Sequence, residues 1–193
     1  MSKRHLRKAV RERITAFSPH EMAERSSAAC RLLCEQPEYR SADVLMVFLP
    51  TPFEVDTAPL ATRAWTDQKR VAAPRVSREQ RRMLPIEIRS LTSGLDEGTF
   101  GFREPVEGMP IPVGDIDLLI VPGMAFDGLG NRLGRGRGFY DRFLAHHELR
   151  AVVCGMAFEQ QFVEHVPTDQ NDLPVHMLVT DVRVRRFAAP QQG

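Results

Sequence analysis

Asp117-Leu118-Leu119-Ile120-Val121 and Val44-Leu45-Met46-Val47-Phe48-Leu49 decide the fold. Each is an unbroken apolar run, too short for a typical helix and suited to a strand covered on both faces of a parallel sheet. Each also runs straight into a loop, the first at Pro50 and the second at Pro122-Gly123. Outward from them the pattern alternates. Leu6, Val10 and Ile14 form one apolar stripe on a basic helix over 3–17. Ser18-Pro19-His20-Glu21 supplies a cap, a proline at the first helical position and a carboxylate at the third, so a second helix starts there and Pro37 bounds it. Thr57 is read as the cap of a helix reaching about Gln68, and Val71–Ala73 and Met83–Ile88 as strands. The region Thr92 to Gly114 reads as irregular, and Gly123 to Gly138 as one glycine-rich loop. Then come a helix from Phe139 to about His147, a strand at Ala151–Gly155 and a short helix near Glu159–Val163. A last strand at Met177–Thr180 precedes an arginine-rich tail. Strands alternating with helices predict an α/β fold, a Rossmann-like three-layer sandwich with a mainly parallel central sheet. Ligands of such sheets bind beyond the carboxyl ends of the strands, which makes the two loops the expected seat of chemistry.

The chain has 193 residues, 42% of them hydrophobic, enough for a real core in one domain spanning 1–193. That excludes a disulfide-stapled mini-protein and a disordered tail. Twenty-six Lys plus Arg face 25 Asp plus Glu, and a net charge of +1 argues against a protein that coats nucleic acid. Locally the balance breaks: residues 1–13 are basic, and so is the stretch Arg75 to Arg82. Only Lys3, Lys8 and Lys69 of those 26 cations are lysine, and arginine's planar fork suits phosphate and carboxylate. Cys30, Cys34 and Cys154 are an odd number and build no disulfide framework, which fits a reducing compartment. No apolar run is long enough to span a membrane, and the basic start lacks the apolar stretch of a secretory signal. A cytoplasmic monomer with no membrane or nucleic-acid partner is the expectation.

The most informative segment is Asn131-Arg132-Leu133-Gly134-Arg135-Gly136-Arg137-Gly138-Phe139-Tyr140-Asp141. Alternate glycines let the backbone approach a bulky anion and turn N–H groups toward it. The helix predicted directly afterwards adds unpaired N–H groups, and Arg132, Arg135 and Arg137 add charge-assisted donors. Asp141 then offers a hard oxygen to Mg²⁺ bridging phosphates. The segment is neither a Walker A motif nor the dinucleotide fingerprint, and by spacing alone an ordinary turn fits it equally well.

In context, this block resembles the 5-formyltetrahydrofolate cyclo-ligase family, together with Val121-Pro122-Gly123-Met124-Ala125-Phe126-Asp127 before it. Lys3-Arg4-His5-Leu6-Arg7 is similar to that family's basic N-terminal motif. Phe48-Leu49-Pro50 through Glu54-Val55-Asp56-Thr57 is similar to its second motif, and Ala157-Phe158-Glu159 through Asp172 to its last. The resemblance implies a three-layer α/β domain that uses ATP and Mg²⁺ to close the N5-formyl group of 5-formyltetrahydrofolate onto N10. It implies that Lys3, Arg4 and Arg7 hold ATP phosphates, along with Arg132, Leu133, Gly134, Arg135, Gly136, Arg137, Gly138, Phe139 and Tyr140. Arg135 through Phe139 would also face the formyl group, Glu54 would contact the pterin, Phe53 would pack on the pterin or belong to the core, and Arg137 would neutralise the phosphoryl group in flight. Asp141 and Asp172 would bind the metal. Two positions depart from the family pattern: Phe139 stands where a tyrosine is common, and His176 where an acid is common.

Two other classes compete. A nucleic-acid-binding module would use the Gly134–Gly138 arginines to grip a phosphate backbone. A sugar-phosphate isomerase or CoA-transferase relative would share the fold by analogy alone. Cys30 and Cys34 lack partners at zinc-like spacing, and no nucleophile-elbow motif supports a serine triad.

Overall fold

The computed structural model describes residues 2–77, 82–98 and 103–188. Helix α1 (Lys3–Thr15) buries Leu6, Val10 and Ile14, the predicted stripe. Helix α2 (Pro19–Cys34) opens on a complete capping box: Glu21 N–H donates to the Ser18 hydroxyl at 3.2 Å, and Ser18 N–H donates to the Glu21 carboxylate at 2.8 Å. Pro37 does more than bound α2. It begins a one-turn helix, α3 (Pro37–Ser41), at the position where a missing N–H costs nothing.

Strand β1 (Val44–Met46) is shorter than its apolar run, although Val47 still donates to the Ala72 carbonyl at 2.9 Å. Helix α4 (Ala58–Thr66) follows, without the expected Thr57 cap. The Thr57 hydroxyl instead donates to the buried Phe48 carbonyl at 2.7 Å, and Asp56 accepts the Ala58 N–H. Strands β2 (Arg70–Ser77) and β3 (Arg82–Ile88) form a hairpin longer than the sequence pattern shows. It runs through Pro74 and Pro85 because the two prolines sit opposite each other, where neither needs to donate to the ladder. A small hairpin, β4 (Leu95–Glu97) with β5 (Arg103–Pro105), lies in the region read as irregular.

Strand β6 (Leu118–Val121) is fully buried, as predicted. The glycine-rich segment after it is only partly a loop, since β7 (Ala125–Phe126) and β8 (Arg132–Leu133) pair antiparallel inside it. Helix α5 (Phe139–Leu144) stops short of His147. Strand β9 (Val152–Met156) leads into a 3₁₀ turn at Glu159–Gln161 and then to β10 (Met177–Val179). The arginine-rich tail contributes β11 (Val184–Arg186), antiparallel to β10. Positions 78–81 of the basic stretch, 99–102 of the irregular region and 189–193 of the tail lie outside the described residues.

The main sheet has the order β11-β10-β9-β6-β1-β2-β3, with parallel pairing from β10 across to β2 and one antiparallel strand at each edge. Alternate residues of its central strands face two cores. Leu118 and Ile120 join Leu6, Val10, Leu33 and Leu60 under α1, α2 and α4, while Leu119 and Val121 join Phe126, Phe143 and Leu178 under α5. The sheet is therefore covered on both faces, which its unbroken apolar strands require. Strand order reverses at β1, because β2 lies on one side of it and β6, β9 and β10 run out on the other. The two predicted loops thus leave the carboxyl ends of adjacent strands at the switch point, where a crevice opens.

Asp127 holds the second loop in shape. Buried between β7 and β8, its carboxylate accepts the N–H groups of Leu129, Asn131 and Val166 and the Asn131 side-chain amide. Removing an acceptor of four donors leaves buried N–H groups unpaired. Asp127→Ala is expected to lower stability by about 3 kcal/mol and the melting temperature by roughly 6–12 °C. Urea unfolding measures this, and a midpoint equal to that of the unaltered chain would show that the carboxylate carries no such load.

Candidate active site

A cavity lies over the carboxyl ends of β1, β2 and β6. Phe48, Leu49, Pro74, Val76, Met83 and Phe139 give it an apolar wall, while Thr51, Glu54, Arg132, Arg135, Arg137 and Asp141 give it a charged rim. Its shape follows from the local chain. Pro50 and Pro52 keep the post-β1 loop from continuing the strand, and Gly136 (φ 93°) and Gly138 (φ 67°) take left-handed conformations that side chains disfavour. Gly134 is required for a different reason: a Cβ there would lie 3.0 Å from Nη1 of Arg132.

The two loops meet through Arg135. Its Nε donates to Glu54 Oε1 at 3.0 Å, and its Nη2 donates to the Thr51 hydroxyl. Thr51 in turn donates to Glu54 Oε2 through its backbone N–H at 2.9 Å and its hydroxyl at 3.0 Å. The Glu54 side chain is only 8% exposed, so its charge is kept by these partners rather than by water.

The N-terminal helix reaches the same place. Arg7 Nε donates to the Gly134 carbonyl at 2.9 Å, and its guanidinium lies beside Gly136. Lys3 Nζ donates to both Asp169 and Asp172 at 2.6 Å. Burial pulls the Lys3 ammonium down, but its hydrogen bonds to the two carboxylates outweigh that and raise its pKa above the ordinary lysine value. Burial pushes Asp172 up, and the Lys3 hydrogen bond, the Asp169 N–H and the charge of Arg132 bring it below the ordinary carboxylate range. The expected phosphate ligand and one expected metal ligand are thus bonded to each other. Arg132 is buried, with its side chain 3% exposed; it donates to Asp141 through Nη2 and to the Pro122 carbonyl at 3.2 Å, and its Nε has no hydrogen-bond partner among the described residues. Burial, followed by the nearby Glu54 charge, drives the Tyr140 phenol well above its ordinary pKa against the opposing charge of Arg132.

These positions also test the donor set for Mg²⁺. Asp141 and Asp172 offer two carboxylates linked electrostatically through Arg132, and no cluster of three metal-ligating side chains exists among the described residues. Mg²⁺ is commonly held by one or two carboxylates plus substrate phosphates, and this set fits that pattern rather than a closed protein cage.

Some expectations change. Phe53 is absent from the cavity lining; its ring packs against the core and lies 5.5 Å beneath the Arg11 guanidinium. Leu133 points into the core, and its carbonyl already accepts the Met124 N–H at 2.7 Å. Arg4 is exposed on α1. His176 sits at the amino end of β10, where its Nδ1 accepts the Val153 N–H at 2.9 Å, so that departure from the family pattern does not reach the cavity. Helix α5 has six residues, and its dipole adds little to anion binding compared with the arginines. Burial pushes the Cys30 thiol up to about 12 and the Cys34 and Cys154 thiols up as well, which suits core side chains and not metal ligands.

Thr51 and Gln161 were not legible in advance. Gln161 donates to the carbonyls of Gly123 (2.7 Å) and Met124 (3.3 Å) and accepts the Phe158 N–H, pinning the start of the glycine loop to the turn after β9. Both act through contacts distant in sequence or through a loop with no period.

Comparison with known proteins agrees with this geometry. The model of the 5-formyltetrahydrofolate cyclo-ligase family matches residues 1–181. The 5-formyltetrahydrofolate cyclo-ligase of Escherichia coli strain K12 is 32% identical over 180 residues, covering 91% of this chain and 98% of its own. The Mus musculus protein of the same name is 28% identical, covering 90% and 91%. The NMR structure of Aquifex aeolicus 5,10-methenyltetrahydrofolate synthetase superimposes with a TM-score of 0.85 at 33% identity, over 100% of this chain and 96% of that one. A 5,10-methenyltetrahydrofolate synthetase structure from Mycoplasma pneumoniae, 20% identical with a TM-score of 0.75, shares the fold over 94% of this chain and 99% of its own. Glycine loop and post-β1 carboxylate meet at one cavity, with the basic N-terminal helix bonded to that loop at Gly134, in a chain that belongs to the 5-formyltetrahydrofolate cyclo-ligase family.

Proposed function

We propose that the protein converts 5-formyltetrahydrofolate to 5,10-methenyltetrahydrofolate, using ATP and Mg²⁺ and releasing ADP and phosphate. The Arg135–Glu54 bridge carries this reading, because it brings the phosphate-type loop within hydrogen-bond distance of a nearly buried carboxylate suited to a pterin edge. A formyl group and a γ-phosphate held on those two loops would share one cavity.

The chemistry needs that proximity. A formyl carbonyl on nitrogen is a poor electrophile, and its oxygen is a poor leaving group. Transfer of the γ-phosphoryl group to that oxygen gives an iminium phosphate. N10 then attacks the formyl carbon, phosphate departs with the oxygen, and the ring closes. Phosphoryl transfer asks for positioning and charge stabilisation more than for covalent help from the protein. Arg7, Arg132 and the backbone of residues 134–138 would hold the triphosphate, with Arg137 on the cavity rim answering the charge that develops in flight. Asp141 and Asp172 would hold Mg²⁺, whose charge neutralises the phosphate oxygens when bound. Glu54 would accept N–H donors from the pterin, and Leu49, Val76, Met83 and Phe139 would cover its apolar face. The nucleic-acid reading is disfavoured because Arg132 is buried and Arg135 is turned onto Glu54, leaving the loop a poor grip for a backbone.

Purified protein with folinic acid, ATP and Mg²⁺ is expected to generate methenyl-folate absorbance that depends on all three. No rise above the enzyme-free control would end the proposal. Arg137→Ala is expected to lower kcat by about 100-fold with a much smaller change in the KM for ATP, since it acts on the transition state; a change confined to KM would demote it to a ground-state contact. Asp141→Asn has two expected effects. It leaves the buried Arg132 charge unpaired and costs about 3 kcal/mol in urea unfolding. Well below its melting temperature it should also raise the Mg²⁺ concentration for half-maximal rate about 10-fold, a carboxylate ligand being lost. An unchanged Mg²⁺ dependence would remove Asp141 from the metal site.

A further inference from the structure

Thr51 has no place in the resemblance that led to Glu54, yet it stands at the centre of the site. Its hydroxyl accepts from Arg135 Nη2 while donating to Glu54 Oε2 at 3.0 Å, and its N–H donates to that same oxygen at 2.9 Å. Arg135 Nε takes the other oxygen, Oε1, at 3.0 Å. The two oxygens of Glu54 are therefore held by different residues. Oε2 is fixed from within its own loop by Thr51, and Oε1 is held from across the cavity by an arginine on the glycine loop.

We propose that Thr51 is a positioning residue for the folate site: it fixes Glu54 through Oε2 so that Oε1 is the oxygen presented to the pterin, and its hydroxyl seats Arg135. This deepens the reading of Glu54 as the pterin acceptor and rests on it. Three features of the geometry lead there. First, the Glu54 side chain is nearly buried, so its orientation is set by hydrogen bonds and not by water. A carboxylate released at Oε2 would rotate and no longer aim one oxygen at a planar donor edge. Second, a carboxylate oxygen accepts more than one donor, so an incoming N–H can join Arg135 Nε at Oε1 or replace it. In either case the Thr51 hydroxyl remains an acceptor for the arginine's second nitrogen and keeps the guanidinium at the rim. Third, Thr51 itself lines the cavity beside Glu54 and Arg135. Thr51 acts through Glu54 and Arg135, without a bond to the reacting atoms.

Thr51→Val removes the hydroxyl and keeps both the branched shape and the backbone N–H. Thr51→Ser keeps the hydroxyl and removes the methyl group. Thr51→Val should raise the KM for folinic acid roughly 5- to 30-fold, the range expected when one charge-assisted hydrogen bond is lost. The KM for ATP and kcat should move much less, because Thr51 orients the folate acceptor. Thr51→Ser should return the folinic acid KM to within about twofold of the unaltered enzyme. A Thr51→Val enzyme with an unaltered folinic acid KM would overturn the proposal. So would a Thr51→Ser enzyme as impaired as Thr51→Val, because the methyl contact and not the hydroxyl would then matter. If Thr51→Val fails to fold, Thr51→Ala answers the same question, with Thr51→Ser again as the rescue. Failure of the underlying reading looks different: the unaltered protein itself would form no methenyl product and bind no folinic acid by calorimetry.

Discussion

Two buried parallel strands ending side by side, β1 and β6, are the constraint on which the rest depends. Strand order reverses beside β1, so loops leaving these neighbours cannot pack over one another and must open a crevice. The polar groups argued to act on substrate come to that crevice or its border from three parts of the chain. The post-β1 loop brings Thr51 and Glu54, the segment after β6 brings Arg132 through Asp141, and α1 brings Lys3 and Arg7 to the border. The apolar wall comes from the end of the β1 run, β2, β3 and the start of α5. Glu54, Arg135 and Arg137 sit on loops, and buried groups such as Asp127 and Gln161 tie the post-β6 segment to the rest of the fold.

Electrostatic pairing is the second theme. Arginines and acids that would serve the substrates are engaged with one another: Arg135 with Glu54, Arg132 with Asp141, Lys3 with Asp169 and Asp172. The buried members, Glu54 and Arg132, would be costly to hold unpaired, and these partners neutralise them. An anion arriving near Lys3 and Arg132, a cation near Asp141 and Asp172, and an N–H donor near Glu54 would each substitute for a partner of like charge or like donor type. Substrate binding at such a site is an exchange of partners, and its net energy is smaller than a sum of contacts suggests.

Much of this could be read from the residues. Unbroken apolar runs at 44–49 and 117–121 placed two central strands, the Ser18–Glu21 spacing placed a helix start, and alternate glycines at 134–138 marked the loop. What escaped has a physical reason in each case. The β2–β3 hairpin continues past Pro74 because Pro85 lies opposite, a pairing visible only in three dimensions. The β7–β8 hairpin is two residues per strand, too short for any period to register. The arginine-rich tail becomes an edge strand by pairing with β10, where exposed arginines suit an edge. At the site, motif position found Glu54 and Arg135 but not the bond between them, nor Thr51 beside them. Of the two roles open to Phe53, the structure shows the core one, with cation–π stacking against Arg11.

The central claim is that one cavity holds folate and triphosphate together at the ends of β1 and β6. A crystal structure of the protein with folinic acid, Mg²⁺ and a non-hydrolysable ATP analogue tests this most directly. The account predicts the triphosphate along residues 134–138 and the pterin edge against Glu54 Oε1. Well-ordered ligands bound elsewhere in every copy would contradict it.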